Sequence, residues 1–352
     1  MNEEQFETEL IQYITSGTIT KPEHLEGISD FKVGEKPACY GVKTKLWKYE
    51  PKIKTTEKLW NNFKEILEQH NQSTLDHPLS TVEFNQVKKI ISDIQTPYEA
   101  GQFLYGLNGV SQIEIDLDDG RHVFLTVFDQ KQIGAGDTVY QVVNQIERPA
   151  IISGKQNRRF DTTLLINGLP IIQIEEKRDT HDVNEALNQM HQYLEENQYG
   201  DIFSTLQILV AITPNNVKYM ANTTPDKFNK DFAFNWQRKS DNTIVRNWKE
   251  FADSMLSIPM AHQMATNYMI LDGTKNKQML KVMRPYQVYA TRNVIENLKK
   301  VDFELGTNKV GYVWHTTGER VIIVMGAINA LKSRISGTFI KIIHALLRAI
   351  RL

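Results

Sequence analysis

Two carboxylates and one amine occur in this chain at a spacing that suits metal-assisted chemistry. Asp161 lies in the apolar stretch FDTTLLI, and Glu175, Glu176 and Lys177 end the apolar stretch PIIQIEEK. Residues 175 and 177 are two apart, so on a strand their side chains share a face. Carboxylates from Asp161 and Glu175, with the backbone carbonyl of Glu176, are hard oxygen ligands of the kind that Mg²⁺ prefers. A cation held there would polarise a phosphodiester oxygen, and Lys177 would orient a water and offset charge in the transition state.

A β-hairpin must bring these groups together, and its register decides whether they meet. Asn167-Gly168 is typical of a two-residue turn. With regular pairing beyond that turn, Asp161 would lie opposite Ile174, and Glu175 would project from the other side of the sheet. A one-residue bulge or a three-residue loop would instead place Asp161 opposite Glu175. We predict one of these two irregularities as a condition of the metal site.

The surrounding sequence predicts the elements that position the hairpin. Apolar residues at helical spacing predict helices over 3–16, 56–69, 81–94 and 181–196, with further helices around Trp248 and after Arg284. Runs of β-branched, aromatic or apolar residues predict strands over 122–128, 160–166, 170–177, 206–212 and 310–314, while 138–146 fits either a strand or a helix. This order of elements predicts an α/β fold with a mixed central sheet flanked by helices.

Composition limits the kinds of partner and compartment. The formal net charge of the 352 residues is -1, so any nucleic acid must be bound by a local basic patch. Lys155, Arg158, Arg159 and Arg178 are candidates for contacts to phosphates, although such cations are as often simply solvated.

Cysteine usage and hydropathy point to the cytoplasm. Cys39 is the only cysteine, which excludes an internal disulfide and a cysteine-built zinc site. The first residues contain no apolar segment typical of a signal peptide, and no apolar run reaches the length of about 18 residues that a membrane span needs. We therefore expect a cytoplasmic protein without a membrane partner.

Several motifs in a fixed order resemble a known family. The Asp-x(n)-Glu-x-Lys hairpin followed by Gln189-x-x-x-Tyr193 resembles the PD-(D/E)xK nuclease core in its RecB-like branch. Five segments, in their order along the chain, resemble the R subunit of type I restriction enzymes, and the resemblance extends over about residues 4–318. They are NGLPIIQIEEKR, EALNQMHQY, YMANTT, FNWQRKSDNT and VMRPYQVYAT. The resemblance implies a restriction-endonuclease-like fold and Mg²⁺-dependent hydrolysis of double-stranded DNA. It also implies a complex with methyltransferase and specificity subunits.

The resemblance assigns roles to matching positions of the hairpin and the next helix. Asp161 and Glu175 would bind the metal, and Lys177 would be the catalytic lysine. Gln189 and Tyr193 would support the site and contact DNA.

Two acidic positions are less settled by the resemblance. Glu7 matches an acid of the first helix that helps to build the metal site, with Glu9 as a competing choice and a solvated helix acid as the alternative. The family usually has Glu-Leu-Lys where this chain has Glu175-Glu176-Lys177. An acid in the middle position is expected to face away from the metal and to do no harm.

The last part of the resemblance concerns a helicase motor. Arg284 to Gln287 resembles the Q-motif of superfamily-two helicases, in which Gln287 would read adenine; the alternative is an ordinary helix that starts at a proline. Residues 311–318 (GYVWHTTG) resemble the start of a phosphate-binding loop, but 319–322 supply no Gly, Lys or Ser/Thr. We therefore expect a chain truncated at the start of its motor, without ATPase activity; ATP would be a cofactor only of full-length relatives.

These observations predict three segments. Residues 1–250 would form the endonuclease domain, 251–318 linker helices and an incomplete helicase segment, and 319–352 an apolar and basic tail outside the family. The tail has an amphipathic stripe typical of a membrane-surface helix, although out-of-frame sequence is the simpler explanation. A catalytically silent fragment that docks DNA or partner subunits remains the alternative to the nuclease hypothesis.

Overall fold

A computed structural model describes residues 2–16, 46–275 and 277–299 of the chain. Eight α-helices lie in these residues, besides four short 3-10 helices: α1 (Glu3–Thr15), α2 (Thr56–His70), α3 (Thr81–Ser92), α4 (Pro97–Tyr105), α5 (Val183–Glu195), α6 (Trp248–Ser254), α7 (Met260–Ala265) and α8 (Pro285–Lys299). Ten strands lie in them: β1 (Lys48–Tyr49), β2 (Val110–Asp116), β3 (His122–Asp129), β4 (Tyr140–Arg148), β5 (Arg158–Ile166), β6 (Leu169–Glu176), β7 (Ile208–Thr213), β8 (Asn216–Ala221), β9 (Met269–Asp272) and β10 (Met279–Val282).

The central feature is a six-stranded sheet in the order β1-β4-β5-β6-β7-β8. β6 pairs with β7 in parallel, and β4-β5-β6 and β7-β8 are antiparallel. Every residue of β6 and β7 is buried, as the continuous apolar runs of their sequences predict. Helices α1 and α5 both pack on this sheet. The predicted fold class, a mixed sheet flanked by helices, is confirmed.

Local sequence explains where the helices begin. Asn2 accepts a hydrogen bond from the backbone of Gln5 and returns one to it, a capping box at the start of α1. Ser80 and Glu83 form the same arrangement at α3. Residues 138–146, which fitted either a helix or a strand, lie largely in β4. The sequence reasoning did not predict α4, β2 or β8.

The hairpin of β5 and β6 contains the predicted irregularity. Ile166 pairs with Leu169 across a two-residue turn, and the register then shifts, so that Thr162 pairs with Ile174. The same register continued by one pair sets Asp161 opposite Glu175. The predicted bulge is confirmed, and it lies two pairs beyond the turn rather than at Gly168.

The turn itself depends on glycine. Asn167 and Gly168 have φ angles of 52° and 80°, both in the left-handed region that a primed two-residue turn requires. A Cβ at Gly168 would lie 2.8 Å from the Cα of Phe63, on α2. Backbone conformation and close packing therefore both select glycine here.

Helix α6, which follows the central sheet in the chain, packs on α1. The ring of Trp248 lies 5.5 Å from that of Phe6, and the Tyr13 hydroxyl donates to Asp253 at 2.8 Å. The predicted boundary at residue 250 falls inside α6, and the division of the chain into domains stays a prediction.

A buried histidine of α7 should make stability depend on pH. Burial lowers the pKa of His262 to about 3, and its Nδ1 accepts the Tyr140 hydroxyl at 2.8 Å. An unfolded imidazole gains a proton as the pH falls below about 6.5 while the folded one stays neutral, so this contribution to stability is lost towards acid, by at most about 1.4 kcal/mol per pH unit. We expect His262→Gln to remove this part of the pH dependence of the unfolding free energy in urea titrations. The control is His70→Gln, at a partly exposed histidine, which should leave this pH dependence unchanged. The same pH dependence of the unfolding free energy in both variants would contradict the expectation.

Several expectations fall outside the described residues. These are the strand at 310–314, the phosphate-loop segment at 311–322, the tail at 319–352 and the environment of Cys39. Across 2–16, 46–275 and 277–299, no helix has the length and apolarity to cross a membrane.

Candidate active site

The carboxyl groups of Asp161 and Glu175 meet at one end of the central sheet. The two groups lie close enough that each affects the pKa of the other, and the Asp161 carboxylate accepts the backbone N–H of Glu176 at 2.9 Å. Glu175 is fully buried, whereas Asp161 is partly exposed. The convergence that the hairpin was expected to produce is therefore present, with one of the two groups open to an incoming ligand.

A distortion in β4 helps to aim Asp161. Gln145, whose position in β4 faces Asp161, has a φ of 56°, and regular alternation of side chains fails there. Phe160 packs against Tyr193 with ring centroids 5.1 Å apart, on the side to which Glu175 points, although its position should face the other way. The regular alternation of side chains along β5 is therefore interrupted between Phe160 and Asp161.

Lys177 completes the cluster. Its ammonium nitrogen lies 2.9 Å from the carbonyl oxygen of Glu176 and 3.5 Å from a carboxylate oxygen of Glu175. Burial alone would lower the pKa of Lys177, but the charges of Glu175 and Asp161 outweigh it and raise the pKa. The amine stays protonated, as a group that orients water and offsets negative charge must.

The burial and closeness of the two carboxyl groups raise the pKa of both and favour the binding of a cation. Burial, then the neighbouring carboxylate, raises the pKa of Glu175 well above its usual range; burial is also the main cause that raises the pKa of Asp161. The second oxygen of Glu175 is buried without a hydrogen-bonding partner among the described residues. An oxygen-rich pair of this kind, whose negative charge Lys177 offsets only in part, fits a hard divalent cation.

The pair Gln189 and Tyr193 of α5 lies where the motif implied. The Tyr193 hydroxyl is 3.5 Å from Glu175, and the Gln189 amide donates to that hydroxyl. Tyr193 is buried and Gln189 partly exposed, so the tyrosine supports Glu175 and the glutamine lies nearer to solvent.

Of the two candidate acids on α1, Glu7 faces the sheet and Glu9 is exposed. The Glu7 carboxylate accepts the side-chain amides of Asn144 and Gln145, and burial, with Asp161 nearby, raises its pKa. Its oxygens do not form a set of three with those of Asp161 and Glu175. Among the described residues, only the exposed Asp76, His77 and Asp119 bring three side-chain ligand atoms within 4.8 Å.

The middle acid of the motif, Glu176, has an environment that sequence reasoning missed. Its side chain is fully buried, and burial followed by the charges of Asp161 and Glu7 raises its pKa well above its usual range. No hydrogen bond of good geometry reaches either oxygen from the described residues, and the nearby Thr162 hydroxyl lowers the pKa less than burial raises it. The expectation that this acid does no harm overlooked its burial against α1.

The basic residues near the hairpin differ in their availability. Arg158 forms a two-pronged ion pair with Glu196 at 2.6 and 2.7 Å, so contact with a phosphate would require that pair to open. Lys155 lies 4.0 Å from the same carboxylate. Arg159 and Arg178 are exposed.

Gln287 is part of the start of α8. Its side-chain oxygen accepts the backbone N–H of Arg284 at 2.9 Å, and it is 4% exposed. It lines a mostly apolar cleft of about 240 Å³ together with Phe234 and Tyr286. Both the adenine-reading role and the simple helix start remain open at this position.

Comparison with known proteins agrees with these features. Residues 38–228 match the family described as "Type I restriction enzyme R protein N terminus". Over 267 residues, 76% of the chain, it is 32% identical to the type I restriction enzyme SauMSSORF170P endonuclease subunit of Staphylococcus aureus, of which the match covers 26%. It is 36% identical over 200 residues to the type I restriction enzyme EcoprrI endonuclease subunit of Escherichia coli, covering 56% of the chain and 61% of that protein. The chain thus spans about a quarter of the Staphylococcus relative.

Proposed function

The chain belongs to the family of type I restriction enzyme R proteins, and we propose that it contains a Mg²⁺-dependent endonuclease site that hydrolyses phosphodiester bonds of double-stranded DNA. The observation that carries the proposal is the convergence of Asp161, Glu175 and Lys177 at one end of the sheet. Such a cluster costs folding free energy, because it buries carboxyl groups that water would solvate. A use for the cluster explains that cost.

Each residue of the site has a distinct task in the proposed reaction. Asp161, Glu175 and the backbone carbonyl of Glu176 would hold the cation, which supplies charge stabilisation at the phosphate. Lys177 is placed to hold the attacking water and to offset charge on the phosphate oxygens. Tyr193 orients Glu175 through its hydroxyl, and Gln189 orients Tyr193.

The names of the relatives also suggest partners. They describe endonuclease subunits, which implies a restriction complex that acts on DNA. We propose that the partners of this chain are double-stranded DNA and the methyltransferase and specificity subunits, and that the complex works in the cytoplasm.

The proposal is tested by removing one carboxylate. We expect Asp161→Ala to abolish Mg²⁺-dependent nicking of a supercoiled plasmid and to weaken Mn²⁺ binding in calorimetry at least tenfold, because one of two charged ligands is lost. Asp226→Ala removes an exposed acid of a distant turn and serves as the control. Unchanged nicking in Asp161→Ala would contradict the nuclease proposal and leave the docking fragment in its place.

We also propose that this chain does not hydrolyse ATP. Residues 319–322 (ERVI) offer neither the Lys that reaches the phosphates nor the hydroxyl that meets Mg²⁺. The expected result is no release of phosphate from ATP, with or without DNA, and no thermal stabilisation by ATP-Mg²⁺ beyond that given by Mg²⁺ alone. DNA-stimulated phosphate release by the purified chain would overturn this part of the proposal.

A further inference from the structure

The loop between β4 and β5, residues 149–157, lies at the end of the sheet where the candidate carboxylates lie. β5 begins at Arg158, and Asp161 follows three residues later, about 10 Å along the strand. β6 runs antiparallel to β5, so its last residues, Glu175 and Glu176, come to the same end. A duplex placed against Asp161 would therefore pass close to this loop.

The loop exposes two adjacent aliphatic side chains. Ile151 is 49% exposed and Ile152 41%, among the largest apolar exposures of the described residues. The loop is folded around them: the N–H of Lys155 donates to the carbonyl of Ile152 at 3.1 Å, and the Asn157 side chain accepts the N–H of Ala150 at 2.9 Å. Isolated exposed apolar residues are common, but a fixed adjacent pair beside a candidate site suggests a contact surface.

The charge of the loop identifies the kind of partner. Residues 150–159, which comprise most of the loop and the first two residues of β5, contain three cationic side chains and no acidic one, and one of the three, Arg158, is paired with Glu196. Lys155 and Arg159 are exposed, and Arg178, also exposed, follows β6 at the same end of the sheet. Proteins that enter a DNA groove combine cations on phosphates with apolar side chains against sugars and base edges. A purely apolar protein partner would not need the cations.

We propose that this loop docks into a groove of double-stranded DNA, with Ile151 and Ile152 packed against the sugars and base edges and Arg159 on a phosphate. The inference rests on the proposed nuclease function and deepens it, because it names a surface that positions the substrate next to Asp161. The contacts of the aliphatic pair do not depend on charge, whereas the contact of Arg159 with a phosphate does. The dependence of binding on salt concentration can therefore separate the apolar contacts from the ionic one.

The experiment measures binding of the whole chain to a fluorescent duplex of about 30 base pairs, without divalent metal, over a series of KCl concentrations. We expect Ile151→Ala/Ile152→Ala to weaken binding about tenfold through lost apolar burial, with an unchanged slope of log K against log salt. Arg159→Ala should weaken binding and also reduce that slope by about one. The control is Val82→Ala/Leu107→Ala, which removes exposed aliphatic surface on α3 and after α4; it should bind as the unaltered chain does.

The outcomes separate this inference from the function on which it rests. If the unaltered chain binds no duplex, the nuclease proposal itself fails. If it binds and the isoleucine variant equals the control, only the loop inference is overturned. A change of sedimentation behaviour in the isoleucine variant, without a change in DNA affinity, would assign the pair to contact between copies of the chain and would also overturn it.

Discussion

Lys177→Ala is expected to lower the rate of Mg²⁺-dependent nicking by about a thousandfold or more while Mn²⁺ binding persists, since removal of one preorganised charged group from such a site typically costs two to three orders of magnitude or more. Lys177 is 9% exposed, and its ammonium contacts both Glu175 and the carbonyl of Glu176. Its loss removes the positive charge next to the phosphate and leaves both proposed carboxylate ligands in place. Plasmid nicking under single-turnover conditions, paired with calorimetric titration of Mn²⁺, measures the two effects separately.

Two further variants give this expectation its controls. Lys177→Arg keeps the charge but changes the donor geometry, so we expect partial activity. Lys131→Ala removes an exposed lysine that precedes β4 and should nick normally. A Lys177→Ala protein that cleaves at the rate of the Lys131→Ala protein would show that the cluster of β5 and β6 is not where DNA is cut.

The sequence predicted those parts of the site in which the residues that meet are close together in the chain. The bulge in the β5–β6 hairpin followed from one requirement, that Asp161 face Glu175, together with the period of two along a strand. Gln189 and Tyr193 were implied by the family resemblance, and their i, i+4 spacing places them on one face of a helix. In both cases the residues that must meet are close in sequence, so register and helical geometry suffice.

The parts that could not be predicted depend on contacts between distant segments. The positive φ of Gln145 and the hydrogen bond that its side-chain amide donates to Glu7 involve β4 and α1, and these two residues are 138 positions apart. The burial of Glu176 has the same origin, because α1 covers a strand end that the sequence alone suggests is solvated. A middle acid in a motif that usually has leucine there was the one available signal, and it was interpreted as harmless.

That buried acid leads to the second large expected effect. Glu176→Leu should stabilise the folded chain by roughly 1–4 kcal/mol, because a buried acid without good hydrogen bonds is replaced by an apolar side chain of similar size. Burial, with the charges of Asp161 and Glu7, raises the folded pKa of Glu176 above its usual value of 4.5. The folded chain therefore binds a proton that the unfolded chain releases, and stability from this group is present at low pH and is lost as the pH rises towards the folded pKa.

The gain from Glu176→Leu should accordingly widen with pH. Urea unfolding in EDTA, at steps from about pH 5 to about pH 8, measures the difference in unfolding free energy between the variant and the unaltered chain. Glu176→Gln, which removes the charge and keeps a buried polar group, should show the same trend with a smaller gain. Glu147→Leu replaces an exposed acid on β4 and should change stability by no more than about 0.5 kcal/mol at any pH. A destabilised Glu176→Leu protein would mean that hydrogen bonds within the fold hold the carboxyl group, and would contradict the expectation.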